Sequence, residues 1–316
     1  MLRKTIASMA ATAMVIGGVA FADETDVNRR NPDGSTPLQW AVYEVDVAEV
    51  TRLLRAGADA SLANHYGATP MGLAAEIAHT EILKLLLDAG ADADSPNADG
   101  MTALMLVART GNVEAAKLLL DRGATVDARE GFGGQTALMW ASARRHPEMI
   151  ELLISRGAAV EARSAVRDYQ RHIQAEGRPK SLDTGGFTPL LYAARENCRA
   201  CVKVLLANGA DIDLPDPDGV SPLHVAVMNA NWDLAKDLID AGADVDQWDI
   251  FGMAPLFTAV GNRSRNDGGR ASIDPPNVTT GLGVVKLLLE RGADPNMQLF
   301  FRPANVRGAT NLRGST

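Results

Sequence analysis

The sequence predicts an all-α solenoid, about seven stacked helix-turn-helix units with β-hairpin loops between them, and three observations carry that prediction. A small-residue Gly-Ala step recurs with its glycine at Gly57, Gly90, Gly123, Gly157, Gly209, Gly242 and Gly292, spaced by 33, 33, 34, 52, 33 and 50 residues. A hydroxyl residue stands 21 positions upstream in six units (Thr36, Thr69, Thr102, Thr136, Thr188, Ser221), while in the seventh Ala254 stands 38 upstream. Between these marks apolar residues fall at helical spacing, as at Ala116, Leu119 and Leu120. A fixed period near 33 residues marks an array in which each unit buries its apolar face only against its neighbours.

The third unit shows how the elements arise. Asp99-Gly100 supplies a turn in which glycine tolerates positive φ, and the Thr102 hydroxyl is placed to cap a first short helix carrying Leu104 and Ala108. Gly111-Asn112 breaks that helix. A second helix starts near Val113 and ends where Gly123 takes the left-handed position. Ala124 to Asp127 then leads into the next extended arm. Small Ala residues in the first helix allow closer packing there than in the second, which bends the stack toward one side.

These residues closely resemble the ankyrin repeat. The family's Gly-x-Thr-Pro-Leu-His-x-Ala-Ala element is matched by Gly34-Ser-Thr-Pro-Leu38, Gly67-Ala-Thr-Pro-Met71, Gly100-Met-Thr-Ala-Leu104, Gly134-Gln-Thr-Ala-Leu138, Gly186-Phe-Thr-Pro-Leu190, Gly219-Val-Ser-Pro-Leu-His224 and Gly252-Met-Ala-Pro-Leu256. Seven copies run over residues 31–297. Ala103, Ala137 and Ala254 depart from the family's Pro or Thr. The resemblance implies an ankyrin-repeat α-solenoid that recognises proteins through a concave groove of hairpin tips and first-helix ends.

Outside the repeats, residues 1–22 read as a signal peptide: Arg3 and Lys4, an uncharged run from Thr5 to Ala20, and the small-residue pattern Ala20-Phe21-Ala22. Cleavage after Ala22 would give a soluble periplasmic or secreted protein of bacterial type, without stable membrane insertion. Residues 23–30 form an N-terminal arm in which Asp26-Val27-Asn28 resembles the last arm of a missing repeat and covers the first. Residues 298–316 are either the start of an eighth repeat, since Gly314-Ser315-Thr316 repeats Gly34-Ser35-Thr36, or a tail whose Leu299, Phe300 and Phe301 fold back over the seventh. Insertions at about 163–182 and 262–281 account for the two long spacings. The first carries Arg163, Arg167, Arg171, Arg178 and Lys180 and permits a short helix from Ala165 to Ala175; the second, rich in Gly, Asn, Arg and Pro, reads as flexible.

With 31 Lys and Arg against 39 Asp and Glu, the net charge of −8 disfavours general attraction to nucleic acid or anionic lipid. No nucleophile elbow, phosphate loop or metal-protease helix motif occurs. The sharpest chemical pattern is Asn197-Cys-Arg-Ala-Cys201, at the entry to the second helix of repeat five. Cys198 and Cys201 could form a local disulfide or stay quiet thiols, act as a redox pair at a helix N-terminus, or ligate metal; no second cysteine pair completes a zinc site. His79, His146 and His224 occupy positions where the family's histidines bond the backbone between repeats. No cofactor and no metal are expected.

What remains is a surface. Partner-binding candidates are Tyr66, Met101, Phe132, Phe187, Phe251 and Met253 beside the hairpin glycines, with Arg144 and Arg195 at the first-helix ends. Rigid aromatics at the tips are suited to anchor a protein partner, or else they pack against adjacent tips. Trp40, Trp140 and Tyr192 share one helix position, read as inward and core. The functional reading is a non-catalytic exported scaffold. Its rivals are a thiol-disulfide protein centred on Cys198 and Cys201, and the ankyrin portion of a larger secreted effector.

Overall fold

The computed structural model describes residues 26–97, 99–166, 185–263 and 277–297. The expected signal peptide, most of both insertions, the helix expected from Ala165 to Ala175 and the segment 298–316 lie outside the described residues. Helices come in pairs, one pair per repeat: α1 (Pro37–Tyr43) and α2 (Val47–Arg55), α3 (Pro70–Glu76) and α4 (Thr80–Asp88), α5 (Ala103–Thr110) and α6 (Val113–Asp121), α7 (Ala137–Ala143) and α8 (Pro147–Ser155). The series continues with α9 (Pro189–Arg195) and α10 (Arg199–Ala207), α11 (Pro222–Met228) and α12 (Trp232–Asp240), α13 (Pro255–Asn262) and α14 (Gly281–Glu290).

Every first helix but the last starts under a hydroxyl cap. Thr36, Thr69, Thr102, Thr136, Thr188 and Ser221 each accept from the amide three residues on, at 3.0–3.4 Å. Ala254 makes no side-chain cap. Leu38, Met71, Leu104, Leu138, Leu190, Leu223 and Leu256 then point inward from the same helical position and are buried. First helices pack more closely on the first helices beside them than second helices do on theirs, so the stack bends toward the first-helix side.

The connecting arms hold no strand among the described residues. A single isolated antiparallel bridge joins Val166 to Gly185, at the base of the first insertion. The expected hairpins are turns because side chains take the amides a strand ladder would use. Asn64, Asn97, Asp216 and Asp249 each accept two N–H groups across their tip at 2.8–3.0 Å. Repeat four has one more residue at this point, which explains its spacing of 34, and the longer Glu130 spans it by accepting from Phe132, Gly133 and Gln135 at 2.6, 2.6 and 3.0 Å.

Neighbouring repeats are tied in two registers. At the tips, the amide of one arm meets the carbonyl of the arm before it: His65 to Asp33 (3.0 Å), Gly131 to Asp99 (2.9 Å), Ala165 to Gly133 (2.7 Å) and Ile250 to Asp218 (2.9 Å). At the arm bases a side-chain oxygen accepts from the next repeat. Asn28 takes Asp59 N–H (2.8 Å), Asp94 takes Thr125 (2.8 Å), Asp127 takes Ala159 (3.0 Å), Glu161 takes Asp211 (3.2 Å), Asp213 takes Asp244 (2.8 Å) and Asp246 takes Asp294 (2.9 Å). Asn28 thus makes, from ahead of the first repeat, the bond that the arms of repeats two to six make to their successors. Arg163 is also structural: it donates to the carbonyls of Gly186 (3.0 Å) and Pro215 (2.8 Å), as Arg129 does to Gly134 and Arg163 itself, so it is no part of a free basic loop.

The link between the two helices of a repeat demands a left-handed residue. Val45, Ala78, Gly111, Arg145, Asn197 and Ala230 all occupy that position, with φ between 49° and 80°. Only repeat three supplies glycine, and a residue with a Cβ is disfavoured there by about 1–2 kcal/mol. Val45 is β-branched and exposed, so Val45→Gly relieves strain with little loss of packing. It is expected to raise stability by about 0.5–1 kcal/mol after the entropic cost of glycine is deducted. Urea unfolding checks this, and a drop in the midpoint would contradict it.

Candidate functional site

The groove on the first-helix side is built from three rows that repeat with the stack: the tip residues, the fourth residue of each first helix, and the first-helix ends. The tips divide by which side of the glycine a residue occupies. Tyr66 and Phe132 precede their glycines, Gly67 and Gly134, and are 74% and 76% exposed. Phe251, before Gly252, is half-buried. Met101, Phe187 and Met253 follow their glycines, and the turn directs them back onto the first helix. Met101 and Phe187 are therefore only 9% exposed and Met253 is half-buried. Phe187 is not an outward anchor, as its position beside a glycine had suggested, and neither is Met101. The side of the glycine was the readable signal.

The second row is the groove floor. Trp40, Trp140 and Tyr192 do share one helix position, but only Tyr192 is buried; Trp140 is half-buried and Trp40 is 46% exposed. Trp40 begins the row, and its ring stands edge-on to Tyr43 at 5.8 Å while its indole N–H donates to Ser35 Oγ at 2.9 Å. The reading of Trp40 as core is thus corrected, because the ring lies on the groove side of α1. Tyr43 and Ile77, at the first-helix ends, are also exposed. These three, with Met228, extend the apolar surface beyond the tip residues.

At repeat five the floor and the helix end form one cluster. The Arg195 guanidinium lies 5.5 Å from the Phe187 ring centre and 5.0 Å from that of Tyr192, and it pairs with Glu196 at 3.1 Å. Phe187 meets Tyr192 edge-on at 5.5 Å, and the Tyr192 hydroxyl accepts from Gln135 at 2.8 Å. Arg144, one position further on in repeat four, is exposed. The charged tract 167–184 lies outside the described residues.

The cysteines and three histidines are bonded within the fold. Cys198 and Cys201 are joined by a disulfide. His79 Nδ1 accepts the Ile82 amide at 3.3 Å as a helix cap, and His146 Nε2 meets the Arg109 carbonyl at 3.2 Å. His224 Nε2 donates to the Met253 carbonyl at 2.7 Å while Nδ1 meets Ser221 Oγ at 3.0 Å. Gln39, its counterpart in repeat one, donates to the equivalent Ala68 carbonyl at 2.6 Å. Among the described residues no three His, Cys, Asp or Glu side chains are grouped to hold a metal, and no helix is long and apolar enough to cross a membrane.

Comparison with known proteins agrees with this geometry. The family model described as ankyrin repeats (3 copies) matches residues 11–97, 73–164, 169–249 and 190–267. The chain belongs to the ankyrin-repeat family. Among solved structures, this ankyrin-repeat chain is similar to the ankyrin repeat domain of Bcl-3, described as a unique member of the IkappaB protein family. The identity is 26%, the match covers 81% of this chain and 99% of that one, and the TM-score is 0.60. No curated protein matches.

His224 gives the ankyrin stack a pH signature. Burial holds its pKa below the ordinary 6.5, outweighing the Met253 carbonyl and the nearby Asp249 and Asp244. The unfolded chain therefore binds this proton more readily than the folded one. The contribution of His224 to stability is complete above pH 6.5 and is lost as pH falls through the depressed folded value. Between pH 7.5 and 5, wild type should lose more stability than His224→Gln, which installs the residue that repeat one uses. Equal losses in urea titrations at the two pH values would contradict the assignment.

Proposed function

We propose that this chain is an exported, non-catalytic ankyrin scaffold that binds another protein through its concave groove. The observation that carries the reading is the display of Tyr66 and Phe132, large rigid rings about three-quarters exposed on the tips of repeats two and four. Trp40, Tyr43 and Ile77 add exposed apolar side chains along the floor and helix ends, and Arg144 adds positive charge beside them. An exposed apolar tract of this kind, rimmed by polar groups, is the usual mark of an interaction site. Support for export comes from the Arg3-Lys4 head, the uncharged Thr5–Ala20 run and the small-residue step ending at Ala22. A disulfide between Cys198 and Cys201 fits an oxidising compartment such as the periplasm or the extracellular space.

The test pairs affinity capture from the native compartment with the variant Tyr66→Ala/Phe132→Ala. Both side chains are exposed, so the fold should be kept within about 0.5 kcal/mol per site. Binding of a captured partner should weaken by at least about 30-fold, the effect of removing a hot-spot ring. An unchanged captured set, with unchanged unfolding, would remove the tips from the binding surface. The mass of the secreted chain should show that it begins at Asp23; a chain beginning at Met1 would contradict export by this signal.

A further inference from the structure

We propose that the Cys198–Cys201 disulfide is a thiol-exchange centre, opened at Cys198 by a small anionic thiol. The first reason is where the sulfur stands. Cys198 is the N-cap of α10, and its Sγ accepts the Cys201 amide at 3.2 Å. In three other repeats the same place holds a strong acceptor for the same amide: Asp46 at 2.9 Å, His79 at 3.3 Å and Asn112 at 3.0 Å. Repeat one thus keeps a full carboxylate there. The position takes a hydrogen-bond acceptor, charged in repeat one, and a thiolate on Cys198 would take the place of the Asp46 carboxylate, favoured by the amides and dipole of the helix start.

The second reason is access. Cys198 lines a cavity of about 340 Å³ together with Arg145, Asn197, Arg199 and Asp233, whereas Cys201 is fully buried and does not reach it. The two cysteines are therefore unequal: Cys198 is 5% exposed at the cavity wall, and Cys201 is 0% exposed and away from it. Asn197 sits in the left-handed link between α9 and α10 at φ 54°, and its Oδ1 is buried without a donor. Arg145 and Arg199 bring positive charge to the same wall. Arg199 is engaged by Asp237, and the Asp233 carboxylate accepts the amides of Val278 at 3.0 Å and Thr279 at 2.8 Å. Cavity size and the two guanidinium groups on its wall suit a small thiol that carries carboxylate groups.

The exchange balances without another reactant. A thiol gives up its proton and attacks Cys198 Sγ as the thiolate, the Cys198–Cys201 bond breaks, and the electron pair leaves on Cys201, which takes that proton. A second thiol attacks the mixed disulfide at the small-molecule sulfur. Cys198 then departs as the capping thiolate and the two thiols leave as a disulfide. Overall, two thiols are oxidised and one protein disulfide becomes a dithiol.

Glutathione serves as the probe on the folded chain, with adducts read by mass and fold by circular dichroism. Cys201→Ser, which leaves Cys198 free, should take up one glutathione from oxidised glutathione at least about 10-fold faster than Cys198→Ser, whose remaining thiol is buried. Wild type should be opened by reduced glutathione while its circular dichroism is unchanged. Once it is reduced, alkylation should label Cys198 before Cys201 in the same molecule, a readout that needs no variant. Arg145→Gln/Arg199→Gln should slow opening by glutathione but leave that by neutral 2-mercaptoethanol unchanged. Opening only in step with unfolding, equal labelling of the two cysteines, or equal slowing with both thiols would overturn the proposal.

Discussion

The stack depends on the bond each repeat makes with the next. No repeat has a core of its own: Leu104, Met105, Leu106, Val107 and Ala108 of α5 are all buried because α3 and α7 close over them from either side. Apolar burial of this kind is strong but without direction. The direction comes from the arms, where Asp94, Asp127, Glu161, Asp213 and Asp246 each reach one repeat forward to an amide, and tip amides answer the carbonyls of the arm before. Each such bond is worth only about 1 kcal/mol, but it recurs along the array and sets the spacing at which the helices meet. Exposed ion pairs that also cross between repeats, such as Arg122 with Asp88 and Arg156 with Asp121, are screened by solvent and add little.

That division of labour explains how the array absorbs irregularity. An extra residue in the tip of repeat four is taken up by the longer side chain of Glu130. The first insertion leaves and returns through the Val166–Gly185 bridge, with Arg163 pinned to carbonyls of the next two arms. After the second insertion, Asn277 returns the chain by donating to the Ala230 carbonyl at 3.0 Å, and Asp233 secures the two amides that follow. In each case polar contacts restore the register, so the apolar faces of flanking helices meet as they do elsewhere.

Much of this was legible in the sequence, for a physical reason. Helix starts follow from a hydroxyl that must accept an amide, and helix ends from a glycine that must take positive φ; both requirements are local, so residues such as Thr69 and Gly90 declare them. What lay across the groove was harder to read. Phe187 and Tyr66 both flank a hairpin glycine, yet one is buried and the other exposed, because the turn separates residues before the glycine from residues after it. Trp40 and Tyr192 share a helix position but not an environment, since exposure at that row depends on which repeats stand beside it. The left-handed link at Val45, Ala78, Arg145, Asn197 and Ala230 carries no sequence mark at all, as only Gly111 advertises it.

Function inherits the same logic. A groove held by contacts between neighbours presents Tyr66, Phe132 and the α1 aromatics as parts of one rigid surface only if the repeats beneath them are mutually locked. Native-state hydrogen exchange, resolved by repeat, tests that coupling most directly. Amides of α5 to α8, with repeats on both sides, should be the most protected, and protection should fall stepwise toward α1–α2 and α13–α14. Equal protection in the terminal and central pairs would contradict a stack stabilised repeat by repeat.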